Sequence, residues 1–190
     1  YNMKVAIITA NTDIYKGTKA NESGEAVKLV AEEAGLEVVF MRALPLDREV
    51  LSTVMKRMTD GKTADLILTT GGVSVGEKDL LPGVIENLNG NVLFHGIQVK
   101  PGMPTMLSVV NGTPVLSLSG NPFAVEALFE VLAGGYLTDM EGSRYLQKNQ
   151  MKVLKQTFVK TGKMKRIVKG RCDESGVYLP QIQKNGQLKN

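Results

Sequence analysis

Short apolar runs alternate with helical repeats along the first 135 residues of the chain. Residues 5–8 are four apolar residues in succession, a pattern typical of a strand buried within a parallel sheet. Residues 23–34 then repeat apolar side chains at helical spacing, and Gly35 follows at the position of a C-terminal cap. The pattern therefore predicts a strand, a helix and a second strand at 36–41.

The central part of the chain continues this alternation. Asp47 can cap a helix that carries apolar residues at helical spacing up to Met58. A third buried strand is predicted at 66–68, and it leads into Thr69-Thr70-Gly71-Gly72. A shorter helix is predicted at 79–88.

The later part predicts a β-hairpin and a further helix. Strands are predicted at 92–94, 106–109 and 115–118, and Asn111-Gly112 between the last two is a strong hairpin signal. Asn121-Pro122 opens a helix, with Asn as the cap and Pro at the first helical position. The alternation predicts a three-layer α/β fold, with a mainly parallel sheet and helices on both faces.

The loops that follow the strands are the expected ligand site, because open parallel sheets bind ligands outside the carboxyl ends of their strands. This rule selects residues 9–22, 70–79 and 117–122. The second loop carries three glycines with Thr and Ser hydroxyls, which suits an anion such as phosphate or molybdate. A glycine-rich turn in which Asp79 only caps the following helix explains the same residues.

Two further segments carry weaker anion signals. Lys100 lies in a rigid Lys-Pro-Gly turn and can supply a positive charge, although a solvated surface lysine fits the pattern as well. Ser119 and Asn121-Pro122 lead into a helix N-terminus, which favours anions, yet a plain helix cap has the same sequence. Neither segment is decisive by itself.

The net charge and the pattern of apolar and polar residues both change near residue 150. Positions 151–190 hold ten Lys or Arg against two acidic residues, a net charge of +8, whereas positions 1–150 hold thirteen against seventeen, a net charge of −4. Together with strand-like segments after residue 150, this change in net charge predicts an α/β domain at 1–148 and a partial, small antiparallel β domain at 149–190. Lysines that protect strand edges explain the basic tail better than nucleic-acid binding, since no such binding motif accompanies it.

The remaining composition excludes several classes of protein. A single cysteine excludes an internal disulfide framework and, beside a single histidine, argues against a protein-built zinc site. The apolar runs are far shorter than the roughly 20 residues that cross a bilayer, so we expect a cytoplasmic protein that binds neither membrane nor nucleic acid. Tyr1-Asn2 precede the first methionine, and the chain stops inside a strand-and-turn pattern, so we expect a piece of a longer protein.

Three motifs in a fixed order carry a family resemblance. They are Thr-Thr-Gly-Gly-Val-Ser-Val-Gly-Glu-Lys-Asp at 69–79, the segment 94–104 that ends in Lys-Pro-Gly-Met-Pro, and Gly-Asn-Pro at 120–122. Across residues 3–138 the chain closely resembles the MoeA-type molybdopterin molybdenumtransferases. The Val-Ser-Val-Gly sequence and the Lys-Pro-Gly turn favour this branch over the smaller MogA/MoaB relatives, which share the fold.

The resemblance implies an enzyme of molybdenum cofactor biosynthesis. Such an enzyme binds adenylylated molybdopterin, inserts molybdate and releases AMP with Mg²⁺ assisting, and its full-length form is a homodimer. The implied molybdopterin-binding residues are Thr70, Gly71, Gly72, Ser74, Gly76, Ser119, Gly120, Asn121 and Pro122. The implied catalytic residues are Asp13, Asp79 and Lys100, of which the two aspartates would also hold the metal.

The chain departs from the family pattern at six positions. Thr12 stands where Asp is common, Asp13 where Glu is, Leu46 where a second Asp is preferred, Gly96 where a basic residue is frequent, Met103 where lysine is frequent, and Ser119 where proline is frequent. A leucine cannot coordinate a cation, so metal-assisted cleavage is the step most affected. Three hypotheses stay open: an active transferase, a molybdopterin-binding module without turnover, and a dimerisation scaffold.

Overall fold

The computed structural model describes residues 3–33, 35–72, 80–95, 99–100, 105–118, 165–166 and 171–179. The helices are α1 (Thr12–Tyr15), α2 (Glu22–Glu33), α3 (Arg48–Asp60) and α4 (Leu80–Asn87). The strands are β1 (Lys4–Ala10), β2 (Glu37–Leu44), β3 (Leu66–Thr70), β4 (Asn91–His95), β5 (Val99–Lys100), β6 (Met106–Val110), β7 (Thr113–Leu118), β8 (Lys165–Arg166), β9 (Arg171–Asp173) and β10 (Gly176–Tyr178).

A six-stranded sheet in the order β2-β1-β3-β7-β6-β4 forms the centre of the fold. Strands β2, β1, β3 and β7 run parallel, whereas β6 and β4 are added antiparallel at one side. The turn between β6 and β7 places Asn111 and Gly112 at φ values of 50° and 77°, the left-handed backbone that this hairpin turn requires. The predicted, mainly parallel sheet and its hairpin are both confirmed.

Helices cover both faces of the sheet, as predicted. On one face, α2 packs Val27 and Val30 against the side chains of Ile7 and Leu68. On the other face, α3 and α4 cover a second apolar core, which includes Ile67. Every residue of β3 is buried, because this strand lies centrally between the two helical layers. Full burial of each large side chain stabilises the fold by about 1.5–3 kcal/mol.

The helix starts agree with the sequence prediction at α3 and differ from it elsewhere. The Asp47 carboxylate accepts a hydrogen bond from the Val50 amide at 3.0 Å, so it caps α3 as predicted. Helix α2 begins at Glu22, one residue before the predicted start. Helix α1 was not predicted, since four residues carry no helical repeat, and Asn11 caps it by accepting from the Ile14 amide.

Strand β2 extends beyond its predicted end at residue 41 and reaches Leu44. As an edge strand it alternates exposed and half-buried positions, so its later residues lack the continuous apolar run of a central strand. The helix predicted after Asn121-Pro122 lies outside the described residues. None of the helices within the described ranges is long and apolar enough to cross a membrane.

The described part of the basic tail contains one antiparallel hairpin, formed by β9 and β10. The Ser175 hydroxyl, 2.6 Å from the Asp173 carboxylate, and the Ser175 amide lower the pKa of that carboxyl. Strand β8 pairs parallel with β5 in a separate two-stranded sheet. The domain boundary at residue 148 and the antiparallel β domain as a whole stay predictions.

The ends of β1 and β3 approach each other so closely that residue 71 must be glycine. Gly71 has a φ of 77°, and a Cβ atom added there would lie 2.4 Å from the carbonyl oxygen of Ala10. The Gly71 amide donates a hydrogen bond of 3.2 Å to the carbonyl oxygen of Leu118. Gly71 directly follows β3, and it contacts the carboxyl ends of both β1 and β7.

Replacing Gly71 with alanine should destabilise the domain by about 2–5 kcal/mol, because left-handed strain adds to a backbone clash. Gly35 is the matched control, since its φ of 79° is similar and nothing lies within 4 Å of an added Cβ. Gly35→Ala should lose only about 1–2 kcal/mol. Urea unfolding measures both variants, and equal losses would show that the junction tolerates a Cβ.

Candidate functional site

The carboxyl ends of β1, β3 and β7 lie side by side at one edge of the sheet. The pairs Thr9–Thr70 and Thr70–Leu118 are register partners across these three strands. The segments that leave this edge are the three loops selected from the sequence, at 9–22, 70–79 and 117–122. The described part of each loop begins at the edge where a parallel sheet binds its ligand.

Most of the predicted site residues lie outside the described residues. These are Ser74, Gly76, Asp79, Ser119, Gly120, Asn121 and Pro122. Thr70, Gly71 and Gly72 are described and lie at the end of β3, with Thr70 and Gly72 buried. Asp13 is exposed in α1. Lys100 lies in β5, which pairs with β8 rather than with the six-stranded sheet.

A small pocket lies where β1 and β3 end beside the N-terminus of α2. Its volume is about 60 Å³. Residues from all three elements and from the α1–α2 loop line this pocket, including Thr9, Asn11, Lys19, Ser23, Thr70 and Gly71. Only Thr70 and Gly71 were predicted as site residues. We call this cavity the α2 pocket.

Asn21 holds the N-terminus of α2 against the sheet. Its side-chain oxygen accepts hydrogen bonds from the Gly24 amide and from the Thr9 hydroxyl, each at 3.0 Å. A Cβ on Gly24 would approach the Asn21 side chain to 2.5 Å, so the glycine lets the cap sit tightly over the first turn. Asn21 was not predicted as a cap, although Asn directly before a helical repeat is a cap signal.

Three hydroxyl groups near this edge are buried and make no hydrogen bond to the residues that the structure describes. They belong to Thr69, Thr70 and Ser117. Thr70 lies on the α2 face of β3, together with Leu66 and Leu68, which pack in the core beneath α2. A buried hydroxyl without a partner destabilises a fold by about 1–3 kcal/mol. Such groups are candidates for hydrogen bonding to a ligand or to water.

Thr69 and Ser117 lie on the other face of the sheet. They are register partners on β3 and β7, so their side chains are neighbours. Their strand neighbours Ile67 and Val115 pack in the core beneath α3 and α4. The two faces of β3 thus each carry a buried hydroxyl close to the same strand end.

Two positions that differ from the family pattern contact each other. The Leu46 amide donates a hydrogen bond of 3.0 Å to the Thr12 hydroxyl. The Leu46 side chain is partly buried against the core beneath α3 and α4. Both residues therefore serve the packing of the loops after β1 and β2, where carboxylates are frequent in the family.

The described residues do not fit a Mg²⁺ site. No group of three or more His, Cys, Asp or Glu side chains occurs among them. Asp13 is an exposed carboxylate, and its backbone carbonyl, not its side chain, accepts the hydrogen bond from the Thr18 hydroxyl. Mg²⁺ prefers several oxygen ligands in octahedral geometry. Asp79, the second predicted ligand, lies outside the described residues.

The fold is an α/β domain, and its candidate site lies at the carboxyl ends of the parallel strands β1, β3 and β7. Residues 6–139 match the family model described as a probable molybdopterin binding domain. The chain belongs to this family of probable molybdopterin binding domains, which assigns it to molybdenum cofactor biosynthesis.

The similar proteins include molybdopterin molybdenumtransferase from Staphylococcus aureus, strain COL, which is 29% identical over 167 residues. That alignment covers 87% of this chain and 39% of the relative. The chain thus spans about two fifths of the curated relatives that it matches.

Two solved structures show the same fold. The MoeA molybdopterin biosynthesis protein from Pyrococcus horikoshii has a TM-score of 0.74 at 25% identity, over 95% of this chain and 45% of that one. The molybdopterin biosynthesis enzyme MoaB from Thermus thermophilus has a TM-score of 0.58 at 22% identity, over 72% of this chain and 95% of that one. The fold class and the family resemblance predicted from the sequence are both confirmed.

The hydrogen bond between Thr12 and Leu46 generates a stability prediction. Thr12→Val removes the acceptor of the Leu46 amide and should destabilise the domain by about 1–2 kcal/mol. Thr12→Ser keeps the hydroxyl and is the matched control, with a smaller loss. Thermal unfolding of both variants measures the difference. An equal loss in both variants would contradict a role for the hydroxyl.

Proposed function

We propose that this domain binds adenylylated molybdopterin and that the longer protein inserts molybdenum from molybdate, with release of AMP. The observation that carries the proposal is the family match over residues 6–139, which includes the Thr-Thr-Gly-Gly junction at the site edge of the sheet. The relatives that share 26–29% identity with the chain are named molybdopterin molybdenumtransferases. The activity is therefore that of a transferase, completed by parts of the protein beyond this chain.

The glycine junction has a direct chemical role in this proposal. Gly71 and Gly72 adopt left-handed φ values of 77° and 71°, which lets the chain turn out of β3 into the loop that begins at residue 73. Amide groups of that loop would bind phosphate oxygens. We propose that Ser74, Gly76 and Asp79 continue this loop around the pterin phosphate, and that Asn121 and Pro122 line the opposite wall.

The transfer step would be assisted mainly by binding and electrostatics. Water cleaves the phosphoanhydride bond between the molybdopterin phosphate and AMP, so that each product keeps its own phosphate. The two dithiolene thiols bind molybdenum, and one oxygen of molybdate leaves as water with the two thiol protons. Amides of the glycine loop and Lys100 would hold the anionic groups in place and stabilise charge on the departing AMP. We assign no step to Mg²⁺, since the described residues do not build a site for it.

A second candidate function is molybdopterin binding without turnover, for storage or transfer to another protein. The observation that favours it is the contact between Thr12 and Leu46, because both residues occupy positions where the family pattern has carboxylates. A neutral, packed pair cannot position a cation or a water molecule for cleavage. A homodimer of the full-length protein and a cytoplasmic location stay predictions from the sequence.

The binding proposal predicts that molybdopterin, or AMP with molybdate as surrogates, binds this domain in a calorimetric titration. The double variant Ser74→Ala/Asp79→Ala should lose at least tenfold in affinity, because it removes the Ser74 hydroxyl as a donor to phosphate oxygens and the Asp79 carboxylate as an acceptor for N–H or O–H groups of the ligand. Glu86→Ala is the control, since Glu86 is exposed on α4, and it should bind like the parent chain. If the double variant binds the ligand as tightly as the unmodified chain does, the ligand binds elsewhere.

Turnover in the full-length protein separates the two candidate functions. The transferase hypothesis predicts formation of AMP and molybdenum cofactor, and it predicts that Asp79→Ala reduces kcat by about 100-fold or more. The readout is AMP release under single-turnover conditions. Tight binding with no AMP from the unmodified full-length protein would overturn the transferase and support the binding module.

A further inference from the structure

We propose that Arg48 is a positioning residue for the glycine junction at residues 71–72, where the chain leaves β3. Its guanidinium group fixes α4, and the first residues of α4 pack against the junction. The proposal rests on the function proposed above, because it takes the loop that leaves this junction to bind molybdopterin. It gives a role in binding to a residue outside the family motifs.

A glycine inside α4 marks the place where Arg48 contacts this helix. Gly83 has ordinary helical backbone, where alanine is the better helix former, so its conformational freedom is not needed. Space explains the glycine instead. A Cβ atom added at Gly83 would lie 2.8 Å from the central carbon of the Arg48 guanidinium and 2.9 Å from one of its terminal nitrogens. The missing side chain therefore leaves room for the guanidinium beside the α4 backbone.

Hydrogen bonds extend this contact along α4 and back to α3. The Arg48 guanidinium donates to the side-chain oxygen of Asn87 at 2.8 Å. The side-chain nitrogen of Asn87 donates to the hydroxyl of Ser52, a buried residue of α3, at 3.3 Å. Gly83 and Asn87 are one helical turn apart, so Arg48 holds α4 at two points on the same side. The planar, rigid guanidinium suits such a double contact.

The first residues of α4 transmit this position to the junction. A Cβ atom added at Gly72 would lie 3.2 Å from the Leu81 side chain and 3.6 Å from the Leu80 side chain. Leu81 is 1% exposed, and it shares an apolar core with Ala10 at the end of β1. A shift of α4 would therefore displace the side chains that pack around Gly72.

Arg48 is itself placed by the segment that follows β2. It is the first residue of α3, directly after the cap residue Asp47. The residue before this cap is Leu46, whose amide donates to the Thr12 hydroxyl in α1. Contacts between described residues therefore connect the segments after β1 and β2, through Arg48 and α4, to the end of β3.

A positive charge near a binding site for anions can also raise affinity through space, without any contact. Arg48 is exposed, so water and salt screen its charge. The contact with α4, rather than the charge, is the effect proposed here. The variants below separate the two.

Two variants remove the contact in different ways. Arg48→Met removes the guanidinium, whereas Gly83→Ala keeps Arg48 and its charge but displaces the guanidinium from α4. Each should weaken binding of molybdopterin, or of AMP with molybdate as surrogates, by about 3- to 30-fold in a calorimetric titration of the chain. Gly83→Ala should do so with little change in the midpoint of urea unfolding, because the helix propensity of alanine offsets the lost contact. A purely structural role would not lower affinity at unchanged stability.

Arg48→Lys and Arg57→Met are the controls for charge. Lysine keeps the charge but lacks the planar fork of donors, so Arg48→Lys should bind about as weakly as Arg48→Met. Arg57 is exposed in the last turn of α3, and Arg57→Met removes the same charge from the same helix. Arg57→Met should leave the affinity unchanged.

The double variant Arg48→Met/Gly83→Ala tests whether the two changes act through one contact. It should bind no more weakly than Arg48→Met, because the contact is already lost in that variant. It should also unfold at a higher urea concentration than Arg48→Met, because alanine strengthens α4.

The backbone amide of Gly72 reports the junction without any ligand. Its chemical shift in NMR spectra should change in Arg48→Met and in Gly83→Ala, and it should stay unchanged in Arg57→Met. If these shifts change although the unmodified chain binds neither molybdopterin nor the surrogates, the proposed function fails and the positioning of the junction by Arg48 is retained.

Four outcomes would overturn the proposal. The first is an unchanged Gly72 shift in both Arg48→Met and Gly83→Ala. The second is full affinity in Gly83→Ala, which would show that the contact with α4 does not affect the ligand. The others are full affinity in Arg48→Lys and an equal loss in Arg57→Met, either of which would assign the effect to charge.

Discussion

The close approach of β1 and β3 at their carboxyl ends is the constraint on which the described structure depends. Ala10 and Gly71 are so near that a single added carbon would lie 2.4 Å from a backbone oxygen. The same glycine turns the chain out of β3 and hydrogen bonds to the end of β7. Because these three ends are fixed together, the loops that leave them start from one rigid edge. A site built on such an edge needs little ordering when a ligand binds.

Neutral hydrogen bonds organise the loops at this edge. Asn21 joins α2 to β1 through the Thr9 hydroxyl, and Thr12 joins the loops after β1 and β2 through the Leu46 amide. Each bond contributes about 1 kcal/mol to stability and introduces no buried charge. The edge is thereby stabilised by contacts that are unsuited to holding a divalent cation. The Thr70 hydroxyl at the same edge makes no hydrogen bond to the described residues.

The sequence predicted the layers of this fold and the strands whose ends meet at one edge of the sheet. Residues 66–68 are a short apolar run because β3 is buried on both faces. Asn111-Gly112 occur where a hairpin turn requires left-handed backbone. Both features can be recognised from a few neighbouring residues. Helix α1 gave no such signal, because a four-residue helix has no helical repeat. The contact between Thr12 and Leu46 gave none either, because it joins residues 34 positions apart. The α2 pocket was missed for the same reason, because it arises only when two strand ends and a helix start are brought together.

The charge of the domain determines how it can bind anions. Positions 1–150 have a net charge of −4, yet each proposed ligand is an anion, so the long-range field of this part of the chain opposes the ligand. At 0.1 M salt that field decays over about 10 Å. Attraction to an anionic ligand would then come from groups in direct contact with it, such as backbone amides and hydroxyl groups at the carboxyl ends of the strands. Such dipoles select by position and geometry, whereas net charge attracts any anion to a surface. Binding through dipoles would therefore let this acidic part of the chain discriminate a ligand that fits the site from the other anions around it.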